Sequence, residues 1–304
     1  MKIEEIIKSL EVEIRETQKG IEQAQSLVRL KDIARVYRGE DEVMGSFDFQ
    51  KDINARIEEE KIMSGWNGLD GILSGFRKRQ LIAISAQTKS GKTTFCMDLT
   101  VRIKSKNPLW FPFEEGGDEL ITKFIERGEE IPSFFLPKTN KVNSIEWIES
   151  KIVEGIAKYG CEVVFIDHLD FLIPFSENRH DLRIAETMRA LKGLAKKWNI
   201  VIFIIAHMKK VRMDNQPTLE DIRGSASIAQ EADTVIVLWR ETKRENGHIV
   251  ITDNVNVSVQ ANRRTGKTGN VKMVYMDGKF LELDWKTQEE QNVEIENRFN
   301  AMEL

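Results

Sequence analysis

Apolar residues follow three successive patterns along this 304-residue chain. Up to about residue 60 they recur at helical spacing: Ile3, Ile6, Ile7, Leu10 and Ile14, then Ile21, Leu27, Val28 and Leu30 after a break at Gly20. A further helical piece, Phe49 to Ile62, leads into "SGWNGLDGILSGF", whose glycines mark a boundary over Ser64 to Gly75. The helical segment reads either as a solvated hairpin or as a docking element for a neighbouring subunit.

From about residue 66 the pattern becomes short apolar runs alternating with helical stretches. The runs are "LIAIS" (81–85), "LWFPF" (109–113), "EVVFI" (162–166), "IVIFIIA" (200–206) and "TVIVLW" (234–239). Nearly unbroken β-branched runs of this length predict parallel strands covered on both faces. Helices are predicted between them, as in "TTFCMDLTVRIKS" and "IAETMRALKGLAKKWN". The pattern then changes to "HIVIT", "VNVSVQ", "VKMVYM" and "KFLELDW", read as antiparallel edge strands with Asp277-Gly278 as a hairpin turn. The expectation is an α/β fold with a mainly parallel central sheet flanked by helices. It divides into a helical region over 1–61, a main domain over 62–285 and an acidic, fraying tail over 286–304.

Composition narrows the class. With 41% apolar and 31% charged residues the chain reads as globular, and no apolar run approaches the ~18 residues of a membrane span. The acidic, evenly charged start is unlike a signal peptide. Cys96 and Cys161 lie far apart in apolar contexts, which excludes a zinc cluster of cysteines and suits a reducing, cytoplasmic setting. A net charge of −4 means that any nucleic-acid surface must be local.

Ala86-Gln87-Thr88-Lys89-Ser90-Gly91-Lys92-Thr93 fits the phosphate-binding P-loop, with alanine in the first glycine position, and Thr94 follows. It lies between a predicted strand and a predicted helix, as the motif requires. Backbone N–H groups must turn inward around a β-phosphate, and Gly91 allows the close approach. Lys92 would reach the β and γ oxygens, Thr93 would hold Mg²⁺, and the helix N-terminus would face the phosphates. The cofactors implied are ATP, or another NTP, and Mg²⁺. Asp167 ends "EVVFID", where a carboxylate would orient a magnesium-bound water. Glu114 ends "LWFPFE" and is a candidate general base, with Glu115 as its rival. His207 ends "IIAH", where it is either a γ-phosphate sensor or a satisfied strand terminus.

These motifs, in this order, resemble the RecA-like C-terminal motor domain of the DnaB-type hexameric replicative helicases. The similarity runs from about Ile62 to Trp285, and its most specific part is "TLEDIRGSASIAQEADTVIVLWR" (Thr218 to Arg240). His168 and Asp170 depart from the family's pattern, and His207 in place of glutamine is similar to the Twinkle and phage primase-helicase branch. "QANRRTGKTG" resembles the element that reaches into the neighbouring subunit's nucleotide site. Aligned on Gly266 and Gly269, the finger is Arg263, with Ala261 where the family has lysine and Arg264 as an alternative.

The resemblance implies an NTP hydrolase that unwinds DNA as a homo-oligomeric, hexameric ring on single-stranded DNA. A primase or helicase loader is an implied partner, and a membrane is not. A ring needs positive charge only along its channel and at its subunit contacts. Candidates on the two implied channel loops are Arg179, with His180 and Arg183, and Lys209, Lys210, Arg212 and Arg223. Two alternatives stay open: a RecA-, RadA- or KaiC-like recombination or regulatory ATPase, and a non-motor loader or inhibitor shaped like a helicase subunit.

Overall fold

The computed structural model describes residues 8, 20–36, 45–47, 50, 61–87, 90–128, 131–139, 144–173, 180–209, 215–245 and 248–283. In chain order the elements are α1 (Gly20–Val36), α2 (Asn67–Leu73), β1 (Leu81–Ala86), α3 (Lys92–Arg102), β2 (Leu109–Pro112), α4 (Gly117–Glu126) and α5 (Ile145–Tyr159). Then come β3 (Val163–Asp167), α6 (His180–Lys197), β4 (Val201–His207), α7 (Ser225–Glu231), β5 (Thr234–Glu245), β6 (His248–Asn262), β7 (Gly269–Met276) and β8 (Lys279–Glu282).

The strands form one eight-stranded sheet in the order β2-β3-β4-β1-β5-β6-β7-β8. The first five are parallel, and β6, β7 and β8 add on antiparallel. Alternation within each strand feeds two cores. Leu81, Ala83, Val164 and Ile166 face α1, α5, α6 and α7, while Ile82, Ile84, Val163 and Phe165 face α2, α3 and α4. Both faces are therefore covered, which is why the strands read as continuous apolar runs. Each fully buried aliphatic or aromatic side chain here contributes about 1.5–3 kcal/mol through area removed from water.

The boundary segment "SGWNGLDGILSGF" is structural. Ser64 N–H and Gly65 N–H donate to the two carboxylate oxygens of Asp70 (2.8 and 3.0 Å), which fixes the entry to α2. Trp66 stacks on Phe95 of α3 at 4.9 Å and donates its indole N–H to the Phe280 carbonyl at 2.8 Å. Edge strand β8 is thereby anchored to the helix that follows the P-loop.

Three expectations change. Ile62 does not end a helix but pairs with Phe76 as an isolated antiparallel bridge. "HIVIT" and "VNVSVQ" form one strand, because the polar interruption between them is absorbed as a bulge opposite Arg240, whose Nε donates to the Thr252 carbonyl at 2.8 Å. His180 and Arg183 belong to α6, not to a loop. Asp277 and Gly278 do form the β7–β8 turn, with φ of 51° and 78°. Helix α1 packs on its own chain: Leu30 is 0% exposed in the core that also contains Ile148 and Ile152 of α5. Apart from residues 8, 45–47 and 50, the rest of the expected helical region before residue 61 lies outside the described residues, as does the tail after Leu283.

Candidate active site

Parallel pairing places the carboxyl ends of β1, β2, β3 and β4 at one edge of the sheet, where ligands bind in open α/β folds. Register makes this concrete: Pro112 lies beside Asp167, and Ala86 beside His207. Residues spread over more than a hundred positions of sequence thus meet at one rim.

At the end of β1, Ala86 is buried, Gln87 donates to the Asn215 carbonyl at 3.1 Å, and Ser90 N–H donates to the Gln87 carbonyl at 3.1 Å. Gly91, at φ 81°, is the residue before α3, a backbone conformation that a side chain would strain. Helix α3 then starts at Lys92, so Lys92, Thr93 and Thr94 occupy its first turn. Thr88 and Lys89 lie outside the described residues.

Thr93 Oγ1 donates to Asp167 Oδ2 at 2.6 Å, joining the P-loop helix to the end of β3. Asp167 is 3% exposed, and its Oδ1 is buried with no hydrogen-bond partner among the described residues. Burial is the main reason its pKa is pushed up to about 6, with Glu114 and Glu115 adding to the rise against Thr93 and Lys92. A buried carboxylate with an orphaned oxygen beside a threonine hydroxyl is a donor set that suits a cation. Hard oxygen ligands in this pattern fit Mg²⁺, which Thr93 and Asp167 would hold.

The two glutamates after β2 point to different partners. Glu115 is ion-paired with Lys123 of α4. Glu114 is half exposed and turns inward, its Oε2 3.7 Å from His168 Nε2. The ring of His168 meets that of His207 edge to face at 3.9 Å. Burial first, then the neighbouring His207 and the Lys92 charge, push His168 down to about 3. Burial and then the Lys92 charge also lower His207, against Asp170 and Glu114, which act to raise it.

The end of β4 is tied to the segment expected to face DNA. Met208 bridges Ile222, Lys209 N–H donates to the Asp221 carbonyl at 2.8 Å, and Arg223 N–H donates to the His207 carbonyl at 2.9 Å. The Arg223 guanidinium pairs with Asp170 at 2.7 Å, and Lys209 Nζ donates to the Glu220 carbonyl at 2.9 Å. Gly224, at φ 70°, has no room for a Cβ, which would meet Ile184 at 2.5 Å. Arg179, Lys210 and Arg212 lie outside the described residues.

Asn262 holds the turn after β6, accepting from Arg264 N–H at 3.2 Å and donating to Thr265 Oγ1 at 2.7 Å. Arg263 is exposed, and its Nη2 donates to the carbonyls of Ala229 and Gln230 at the end of α7 in its own chain. Arg264 is exposed, and its guanidinium has no partner among the described residues. Ala261 is partly buried against the core and supplies no charge.

Sequence reasoning missed the wall beside the P-loop. A cavity of about 180 Å³ is lined by Ser90, Gly91, Thr94, Arg240, Tyr275 and Phe280, with the Arg240 guanidinium 5.8 Å from the Tyr275 ring centre. A second cavity of about 570 Å³ shares Thr94 and Tyr275 and reaches Lys123, Arg127 and Asp277. Asp98, buried on α3, supports this wall by pairing with Arg127 at 3.2 Å and accepting from Phe280 N–H at 2.9 Å. These partners are far apart in sequence, and no local motif signals them.

The family profile of the DnaB-like helicase C-terminal domain matches residues 61–148 and 133–281, and the chain belongs to that family. The chain is 26% identical over 333 residues to replicative DNA helicase DnaB of Rickettsia typhi, covering 89% of this chain and 63% of the relative. It is 23% identical over 269 residues to replicative DNA helicase DnaB of Geobacillus stearothermophilus, covering 76% of this chain and 58% of the relative. It thus spans about three fifths of the length of these relatives. Among solved structures, an ATPase domain superposes with a TM-score of 0.69 at 21% identity, covering 80% of this chain and 100% of that one. A DnaB-like replicative helicase, solved to describe its interactions with primase, gives a TM-score of 0.66 at 21% identity, covering 93% of this chain and 77% of that one. The sheet is therefore RecA-like, as the sequence led one to expect. No helix among the described residues is long and apolar enough to cross a membrane.

Proposed function

We propose that the chain is the motor of a ring-forming replicative DNA helicase, which binds and hydrolyses ATP or another NTP and translocates on single-stranded DNA. The observation that carries this is the Thr93–Asp167 bond of 2.6 Å with Asp167 Oδ1 left open, at the rim where Lys92, Glu114 and His207 converge. Lys92 and the backbone N–H groups opening α3 would hold the β- and γ-phosphates. Thr93 and Asp167 would hold Mg²⁺, which when bound supplies charge neutralisation at the phosphate oxygens. Glu114 would accept the proton of the attacking water, and neutral His207 would donate to the γ-phosphate. Arg240 and Tyr275 would flank the base.

Membership of the DnaB-like helicase C-terminal domain family favours this reading over a recombination or regulatory ATPase. Arg263 or Arg264 would complete the site of the next subunit. Arg264 is the freer of the two in this conformation, since Arg263 is engaged by α7. Arg223 and Lys209 would meet DNA phosphates with the candidates on the neighbouring loops, in a hexameric ring whose proposed partners include a primase or a helicase loader. Strand displacement from a forked duplex, with and without NTP, tests this directly. NTP-dependent displacement, abolished in Glu114→Gln, is expected. Hydrolysis without displacement by an assembled ring favours the non-motor alternative.

A further inference from the structure

One residue of the rim has no task in this scheme. His168 is 6% exposed, its Nδ1 is buried without a hydrogen-bond partner among the described residues, and its Nε2 lies 3.7 Å from Glu114 Oε2. Buried imidazoles are ordinarily held by hydrogen bonds on both nitrogens, so a ring with none at Nδ1 and with Nε2 turned to a carboxylate beyond hydrogen-bond distance is not explained by packing alone. Glu114, His168 and His207 come from the ends of β2, β3 and β4, and each offers one ligand atom, all within 4.8 Å of one another. Two imidazoles and a carboxylate are the donor set of zinc and its transition-metal neighbours, and a poor set for Mg²⁺, which prefers oxygen throughout. The cysteines do not compete: Cys96 and Cys161 are buried, and burial raises both thiols, Cys161 to about 12.

We propose that Glu114, His168 and His207 form a second cation site, selective for zinc-class ions and separate from the Thr93–Asp167 position. Occupation of this site engages the Glu114 carboxylate, so zinc and proton abstraction by Glu114 exclude one another. Zinc thereby acts as a reversible inhibitor of hydrolysis. Only this inhibition rests on the function proposed above; binding itself needs no nucleotide.

The test uses the full chain, stripped of metal and free of nucleotide. Zn²⁺ is titrated in competition with a chromophoric chelator, and Co²⁺ is followed by its visible absorption. One equivalent should bind, millimolar Mg²⁺ should not displace it, and Co²⁺ should give the intense bands of a low-coordinate nitrogen–oxygen site. His168→Gln and His207→Gln should each weaken Zn²⁺ binding by at least the ~10–100-fold seen for lost outer-shell partners. His248→Gln, on the exposed β5–β6 ribbon, should not. Absence of saturable binding overturns the site, as does binding indifferent to His168→Gln. Weak octahedral Co²⁺ bands in the unaltered protein overturn it even if His168→Gln fails to fold. Hydrolysis unimpeded by bound zinc overturns the inhibition. A protein that binds zinc as expected but never hydrolyses NTP would instead refute the motor function and leave the zinc site standing.

Discussion

The backbone N–H of Arg223 donates to the carbonyl of His207 at 2.9 Å. A residue expected to meet DNA is thus one hydrogen bond from a residue expected to meet the γ-phosphate. The Arg223 guanidinium is at the same time held by Asp170, two residues beyond His168. Strand β4, the segment from Leu219 to Arg223 and the end of β3 are therefore linked, and under the proposed function a phosphate contact at Arg223 would reach the rim by this route.

Changing Arg223 to Ala should weaken single-strand binding and lower DNA stimulation of hydrolysis while nucleotide affinity is kept. Replacing Lys209, Lys210 and Arg223 together should weaken binding to all sequences alike, since phosphate contacts carry no base information. The slope of log K against log salt should become shallower by ~0.7 for each DNA phosphate that is no longer neutralised. Binding isotherms over a salt series would show this, and an unchanged slope would remove these residues from the channel.

Within one subunit, Lys92→Ala should abolish nucleotide binding. Glu114→Gln should retain binding and hydrolyse ~100-fold more slowly, the usual size of a lost general base. Glu115→Gln should have little effect, because Glu115 is engaged by Lys123. Fluorescent-nucleotide binding together with steady-state hydrolysis separates the two glutamates, and a reversed result would shift the base by one residue.

Asp167 links the site to stability. Its folded pKa, pushed up to about 6 chiefly by burial, exceeds the ordinary value of 3.8, so between these values the folded state binds more protons than the unfolded one. Stability from this group is therefore full at low pH and falls as pH rises, at a cost of about 3 kcal/mol near neutrality. Asp167→Asn should raise the urea midpoint at pH 7.5 in magnesium-free buffer, with the gain shrinking as pH falls from about 6 towards 4. The same variant should lose hydrolysis. A midpoint lowered at pH 7.5 would mean that the charge is not buried at a cost.

Mixing experiments address the subunit boundary. Arg263→Ala and Arg264→Ala should each be combined with Lys92→Ala, which keeps both arginines but has a dead P-loop. The residue that acts in trans should lose ~10³-fold or more in hydrolysis alone and recover part of it in the mixture. Because the Arg263 side chain rests on α7 carbonyls, Arg264→Ala is expected to show the larger loss and the recovery. No recovery with either, where subunit exchange is shown, would refute a finger from this turn.

How much of this was legible depended on how local the signal was. The five parallel strands and the P-loop could be read because β-branched runs and a strand–loop–helix motif are contiguous in sequence. Once parallel strands were inferred, Asp167, Glu114 and His207 were candidates from their positions at strand ends. Asp98 was invisible: a carboxylate within an amphipathic helix reads as surface, and the groups that satisfy it, Arg127 and Phe280, lie 29 and 182 residues away. Arg240 and Tyr275 were missed for the same reason, since only the β5-β6-β7 pairing brings them together. His168 was noted only as a departure from a family pattern. Its buried, unpartnered nitrogen is a tertiary fact.

The most direct measurement is NTP hydrolysis by the purified chain as single-stranded DNA is added. If DNA contacts at Arg223 and the His207 rim are one unit, the rate should rise several-fold with saturating DNA. The rise should disappear in Arg223→Ala while basal hydrolysis persists, and Glu114→Gln should be inactive with or without DNA. A protein that binds and hydrolyses NTP at a rate indifferent to single-stranded DNA would contradict the account.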